Sequence, residues 1–288
     1  MFWILAMALN DSLLDVRGLR VRFPGRDGEP VEVVKGIDFT VGTEKVALVG
    51  ESGSGKSLTA RALLGLVPHP GQVIAEHLRF GGNELLGLSA RQWQALRGTR
   101  LSLVLQDPKY SLNPVLKVGA QVEEVLVLHT RLGRRERREK VLHMLDAVGL
   151  PNPIALYNSY PHQLSGGMGQ RVMLAAMLIN DPRVLIADEP TSALDSSLRD
   201  QMLELIMGLV EQRGMGLLLI SHDLPLVAKY CDRVMVMYRG QIVDQCQAAE
   251  LATASHPYTR TLWNCRPSAL SYGHALPTLD RSVLEERP

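Results

Sequence analysis

Apolar and polar positions alternate along residues 12 to 23 (SLLDVRGLRVRF), the two-residue period of strands with one buried face. PGRDGEP reads as a turn and VEVVKGIDFTV as a further strand pair. KVALVG is a short, valine-rich apolar run that ends in glycine. A glycine-serine loop follows, and then LTARALLGLV with helical spacing. Strand, glycine loop and helix in that order open an α/β nucleotide-binding fold. Residues 76 to 105 mix short strands with one helix (SARQWQALRG) and end at LSLVLQ. From about 115 to 165 the apolar period lengthens to three and four, which predicts helices over KVGAQVEEVLVLHTRL and RRERREKVLHMLDAVGL. QRVMLAAMLI predicts a buried helix, and VLIADEP and GLLLISHD predict apolar strands that end in polar residues. VMVMYRGQIVDQ predicts a hairpin turning at Arg239-Gly240. From about residue 246 the chain is polar with scattered prolines and reads as an appendage.

Composition narrows the picture without redirecting it. A chain of 288 residues, 46% hydrophobic and 21% charged, is an ordinary globular protein able to bury a large core. Its net charge of +1 offers no electrostatic pull toward nucleic acid or an acidic lipid surface. The three cysteines (Cys231, Cys246, Cys265) show neither paired nor metal-ligand spacing, and the histidines form no zinc cluster. The basic run from Arg134 to Lys140 is interleaved with Glu136 and Glu139, the pattern of a solvated helix face. No stretch approaches the ~20 apolar residues of a membrane span. The opening MFWILAMAL lacks the basic leader and cleavage site of a signal peptide, and a start at Met7 is an open alternative to Met1.

Two segments carry phosphate chemistry. Gly50, Glu51, Ser52, Gly53, Ser54, Gly55, Lys56 and Ser57 complete the pattern G-x-x-x-x-G-K-[ST] between an apolar strand and a helix. The glycines let backbone N–H groups curl around phosphate oxygens, Lys56 would reach the β- and γ-phosphates and Ser57 would ligate Mg²⁺; the loop alone does not separate kinases, GTPases and transport ATPases. VLIADE then delivers Asp188 to the metal and Glu189 to an attacking water as base, although two acids there could also cap the next helix. A third segment, Leu164-Ser165-Gly166-Gly167-Met168, precedes a long apolar helix. Taken alone it reads as an ordinary N-cap ahead of a second anion-binding helix end.

With these motifs in order, the chain resembles the ATP-binding subunits of ABC transporters over nearly its whole length. GESGSGKS is the phosphate loop, Gln106 in LQDP matches the glutamine that senses Mg²⁺, and LSGG is the family signature. IADEP is the metal and base strand, Ser192-Ala193-Leu194-Asp195 the loop that crosses the dimer interface, and His222 in ISHD the histidine that contacts the γ-phosphate. Phe23 suits the aromatic that stacks on adenine, though a plain core strand residue fits it too.

The resemblance implies an α/β fold: a P-loop NTPase core (RecA-like) with an antiparallel β subdomain and an inserted helical subdomain. It places the ATPase domain at 11–245, with the helical part at about 110–165 and a C-terminal extension at 246–288. It also implies a head-to-tail dimer with a second ATP-binding subunit, identical or related, in which Ser165, Gly166 and Gly167 of one chain hold the γ-phosphate on the other. Two transmembrane permease subunits, an extracytoplasmic solute-binding protein and a peripheral position on the cytoplasmic face of the cell membrane complete the expectation.

GESGSGKSLTARALLGLVP, LQDPKYSLNP, YPHQLSGGM and HPYTRTLW followed by LPTL resemble the dipeptide, oligopeptide and nickel importer branch. Met168 is shared with that branch, and Gly169 departs from it, replacing an expected arginine at a position read as a surface contact. The leading expectation is ATP hydrolysis coupled to uptake of a peptide, nickel or a metal chelate. The alternatives are a soluble ABC ATPase acting on DNA or ribosomes, and a kinase, which leaves LSGG, SALD and ISHD without a use.

Overall fold

The computed structural model describes residues 12–25, 28–105, 112–192 and 194–265. Leu14 and Val16, then Leu19 and Val21, are fully buried on one face of strand β1 (Leu14–Pro24); the alternation is offset by one residue at Gly18 (φ 60), where the pairing with the next strand shifts register. β1 pairs antiparallel with β2 (Pro30–Val41) on one edge. Its other edge meets β4 (Gln72–Ile74) and β5 (His77–Phe80), and β5 pairs with β6 (Asn83–Glu84). VEVVKGIDFTV is one continuous strand and not the expected pair. Gly36, at φ 72, drops out of the register between Ile37 and Lys35 and makes a bulge where a turn was expected.

The second sheet holds β3 (Lys45–Val49), β7 (Leu101–Val104), β8 (Val184–Asp188), β9 (Gly216–Ile220), β10 (Arg233–Tyr238) and β11 (Gln241–Gln247). Their order is β11-β10-β3-β9-β8-β7, parallel throughout except for the β10–β11 hairpin at Arg239-Gly240. β8 and β9 are buried at every residue, the condition under which strands read as unbroken apolar runs. Within those runs the pleat sorts side chains by layer. Val46, Leu48, Ile186 and Leu218 join the core shared with the antiparallel sheet, and Ala47, Val49, Leu185 and Leu219 join the core of the helical side.

Helix α1 (Lys56–Leu63) follows β3, and α2 (Ala90–Leu96) begins at a Ser89–Gln92 capping box. The inserted helices are α3 (Val118–His129), α4 (Arg134–Ala147) and α5 (Pro153–Asn158). Glu123 on α3 ties them together, accepting from Arg137 Nε at 2.9 Å and from the Tyr157 hydroxyl. The basic run lies along α4, where the exposed Arg135–Glu139 pair shows the solvated face that was expected. Helices α6 (Gly166–Leu178), α7 (Ser196–Gln212) and α8 (Leu224–Tyr230) complete the layer over the parallel sheet.

The chain does not leave the core at residue 246. A 3₁₀ turn (Ala248–Thr253) and helix α9 (Pro257–Asn264) fold back onto it, and Leu251 and Tyr258 are fully buried there. The apolar anchors are few and separated by polar residues, so an averaged reading of the segment hides them. Residues 266–288 lie outside the described residues. Among the described residues no helix is long and apolar enough to cross a membrane.

Candidate nucleotide site

The loop between β3 and α1 owes its course to glycine. Gly50 sits at φ 151, and a Cβ there would fall 2.1 Å from the Met237 carbonyl oxygen, so only glycine lets the loop pass β10. At its far end Gly55 is the N-cap of α1, and no side chain caps that helix. A helix start without a side-chain cap is a ready anion site, with N–H groups and the positive dipole end at the loop.

Lys56 is buried, and its Nζ donates to the carbonyl oxygens of Gly50 (2.9 Å) and Glu51 (2.8 Å). Burial pulls the ammonium below its ordinary range, while the charges of Glu189, Asp188 and Glu51 push the other way. The Ser57 hydroxyl donates to Asp188 Oδ1 at 3.0 Å, joining the phosphate loop to the end of β8. Burial raises the Asp188 carboxyl; the Ser57 hydrogen bond opposes that rise and the neighbouring Glu189 adds to it.

Glu189 leaves the sheet abruptly. Its N–H donates to the Ile220 oxygen at 3.0 Å, extending the β8–β9 pairing by one residue, and its φ of 46 then turns the chain. A left-handed conformation at a non-glycine residue costs about 1–2 kcal/mol, a strain concentrated at functional sites. Here it sets Glu189 Oε1 3.4 Å from Nδ1 of His222, which follows β9 and is largely exposed. Lys56, Ser57 and Glu189 line one cavity of 320 Å³ together with Ser52, Gly53, Gly55, Val33 and Leu58. A second, of 600 Å³, lies between Gly50, Glu51 and Ser52, the 222–225 segment, and Leu262 and Cys265 of the C-terminal segment.

The signature segment lies elsewhere. Ser165 caps α6, its Oγ accepting from the Met168 N–H at 3.4 Å, so the N-cap reading holds within this chain. Leu164 and Met168 pack against the core, while Ser165 and Gly166 are exposed. Among the described residues, a Cβ on Gly166 would meet nothing within 4 Å, and one on Gly167 would make only ordinary contacts with Leu198 and Leu194. Packing among the described residues therefore gives no reason for glycine at 166. None of residues 164 to 168 lines either cavity at the phosphate loop. Gly169 is buried within this chain.

Leu194 is buried in the core beside the signature, and Asp195 caps α7 through the N–H of Leu198 and the hydroxyl of Ser197, both at 3.0 Å. Those bonds hold the Asp195 carboxyl below its usual range. Ser192 is half-buried, its N–H bonded to the Glu189 oxygen at 3.2 Å. Phe23 is half-buried against Gly71 and is absent from both cavity walls; Val33 lines the smaller one. Gln106 and Ala193 lie outside the described residues. Cys231 is a core residue whose thiol burial pushes up to about 12, far from nucleophilic use. A residue missed from the sequence is Tyr258, whose hydroxyl accepts from the Glu51 N–H at 3.3 Å; nothing in its local spacing distinguishes it from other tail residues.

Residues 34–192 match the family described as ABC transporter. This chain belongs to that family. It is one of the family's ATPase subunits, built on the P-loop core with its antiparallel and helical parts. It is 43% identical over 258 residues to the dipeptide transport ATP-binding protein DppD of Haemophilus influenzae, covering 89% of this chain and 78% of that protein. Identity to DppD of Escherichia coli K12 is 42%, covering 89% of this chain and 79% of the relative. Against the oligopeptide transport ATP-binding protein OppD of Bacillus subtilis it is 40%, covering 95% and 74%. Among solved structures, the dimeric ATP-binding cassette MJ0796 in a post-hydrolysis state with ADP and Pi superposes at a TM-score of 0.70. That match has 26% identity and covers 82% of this chain and 98% of the other. CbiO1 of Clostridium perfringens, part of the transporter complex cbiONQ, gives 0.68 at 27% identity, covering 84% and 91%.

Proposed function

We propose that this chain hydrolyses ATP to drive import of a peptide through separate permease subunits. The observation that carries the ATPase reading is the junction of Ser57 and Asp188 at 3.0 Å, with Glu189 lining the same cavity as Lys56. A hydroxyl and a carboxylate at that distance are the hard oxygen donors Mg²⁺ takes, so these residues fit the ion. Bound there, the metal would neutralise charge on the transferring phosphoryl group.

The chain's own residues supply the rest. Loop amides and Lys56 bind the phosphates, Glu189 takes the proton of the attacking water, and His222, beside it, contacts the γ-phosphate. Gln106 completes the water and metal environment. The exposed Ser165-Gly166-Gly167 end of α6 serves a second cassette, identical or related, and Ser192, Ala193, Leu194 and Asp195 form the adjoining part of that interface. The lack of a packing reason for Gly166 among the described residues supports this assignment, because close approach by a partner's phosphate supplies one. Domain limits of 11–245 for the ATPase and about 110–165 for the helical insert go with this reading, the segment to 265 being packed on the core.

Transport then follows the switch of a nucleotide-bridged dimer, closed by ATP and opened when the γ-phosphate is lost. The chain works at the cytoplasmic face of the cell membrane, held by its permeases, and an extracytoplasmic binding protein delivers the solute. The three relatives named above carry dipeptide or oligopeptide transport names, which favours a peptide over nickel. Deletion of the gene should abolish uptake of labelled di- and oligopeptides, and wild-type but not Glu189→Gln protein should restore it. Intact peptide uptake with loss of nickel uptake would reverse the choice of solute.

A further inference from the structure

Tyr258 is the largest fully buried side chain among the described residues, at 0% exposure. Its ring packs on Tyr238, with centroids 4.5 Å apart and planes tilted by 49°. Phenylalanine would fill that space equally well, and a buried hydroxyl costs stability unless it is bonded. This hydroxyl accepts from the Glu51 N–H in the phosphate loop, 207 residues away in sequence. Glu51 is the hub of the loop: its carbonyl oxygen accepts from the Ser54 N–H at 3.2 Å and from Lys56 Nζ at 2.8 Å. Helix α9 is itself pinned, since the buried Thr259 hydroxyl donates to Asp244 Oδ2 on β11 at 2.5 Å.

We infer that Tyr258 is a positioning residue for nucleotide binding, through which the C-terminal segment holds the phosphate loop in its receptive curl. The inference rests on the reading of residues 50 to 57 as the ATP site. A loop already fixed at Glu51 loses less freedom when phosphate arrives, and preorganisation of that kind appears as affinity. The substrate and the chemistry are unchanged; the tail becomes a determinant of ATP affinity.

The test is equilibrium binding of ATP, and of inorganic triphosphate, to the full-length chain carrying Tyr258→Phe. Loss of one hydrogen bond acting on the loop should weaken both ligands by about three- to ten-fold. An ATP affinity within two-fold of wild type overturns the inference, as does a loss for ATP that triphosphate does not share, which would place the effect at the base. If Tyr258→Phe does not fold, Thr259→Val loosens the same helix and is read by the same two outcomes. Wild-type protein that binds no ATP would instead sink the assignment of the site itself.

Discussion

Asp188 is buried at the end of β8 with a carboxyl whose proton affinity is raised, chiefly by burial. The folded state therefore holds that proton more tightly than the unfolded chain does. Stability from this group is present in acid and lost as pH rises through its folded-state pKa, so the ionised carboxylate is a burden on the empty fold at neutral pH. Asp188→Asn keeps an acceptor for the Ser57 hydroxyl and removes the burden. Thermal denaturation at pH 7 should show the variant at least as stable as wild type, with the advantage vanishing in acid. Hydrolysis should fall by on the order of 100-fold or more, because the metal loses its carboxylate. A variant less stable at pH 7 would contradict the burial argument. Glu189 is strained for a different reason: its left-handed backbone takes it out of the sheet toward His222.

Helix α6 shows the same division between fold and function on a larger piece of chain. Its N-terminus is capped by Ser165, and its body buries Val172, Met173 and Leu174. Gly166 sits in the first turn with open space around its absent Cβ. Gly166→Ala should leave the isolated chain as stable as before, or more stable by up to about 1 kcal/mol from reduced backbone freedom. ATP hydrolysis by the assembled dimer should nevertheless fall at least ~10-fold, because the methyl group occupies the approach of the partner's phosphate. Unchanged hydrolysis would mean that no phosphate comes that close to α6. Calorimetry and turnover together separate the two effects, which a single activity measurement would merge.

At the scale of the molecule, the phosphate loop and the signature helix belong to different surfaces, since residues 164 to 168 line neither cavity at the loop. On the proposed reading, one chain presents half of each of two sites. Glu189→Gln with ATP and Mg²⁺ should accumulate a dimer on size exclusion, because it closes and does not turn over. Adding Ser165→Arg to that variant should return it to monomer with ATP still bound to the loop. A Glu189→Gln chain that stays monomeric at all concentrations and with its partner cassette would remove the trans arrangement.

The phosphate loop, the acid pair and the capped glycine helix could be read from sequence because each is a local arrangement, with its glycines, lysine or carboxylates within a few residues of one another. The strand runs were legible for a related reason: burial on both faces admits only apolar side chains, and β8 and β9 show it at every position. Gly36 misled because the same backbone freedom serves a turn and a bulge, and the pairing with β1 chose the bulge. What no window of sequence contains are the long-range meetings: Ser57 with Asp188 across 131 residues, Glu189 with His222, and Tyr258 with Glu51 across 207. The sequence determined which residues are candidates for phosphate chemistry. The order of strands in the parallel sheet decided which of them meet, since β3, β8 and β9 become neighbours only when the sheet forms. The burial of Tyr258 was decided in the same way, because an isolated tyrosine in a polar segment finds its apolar surroundings only in the finished core.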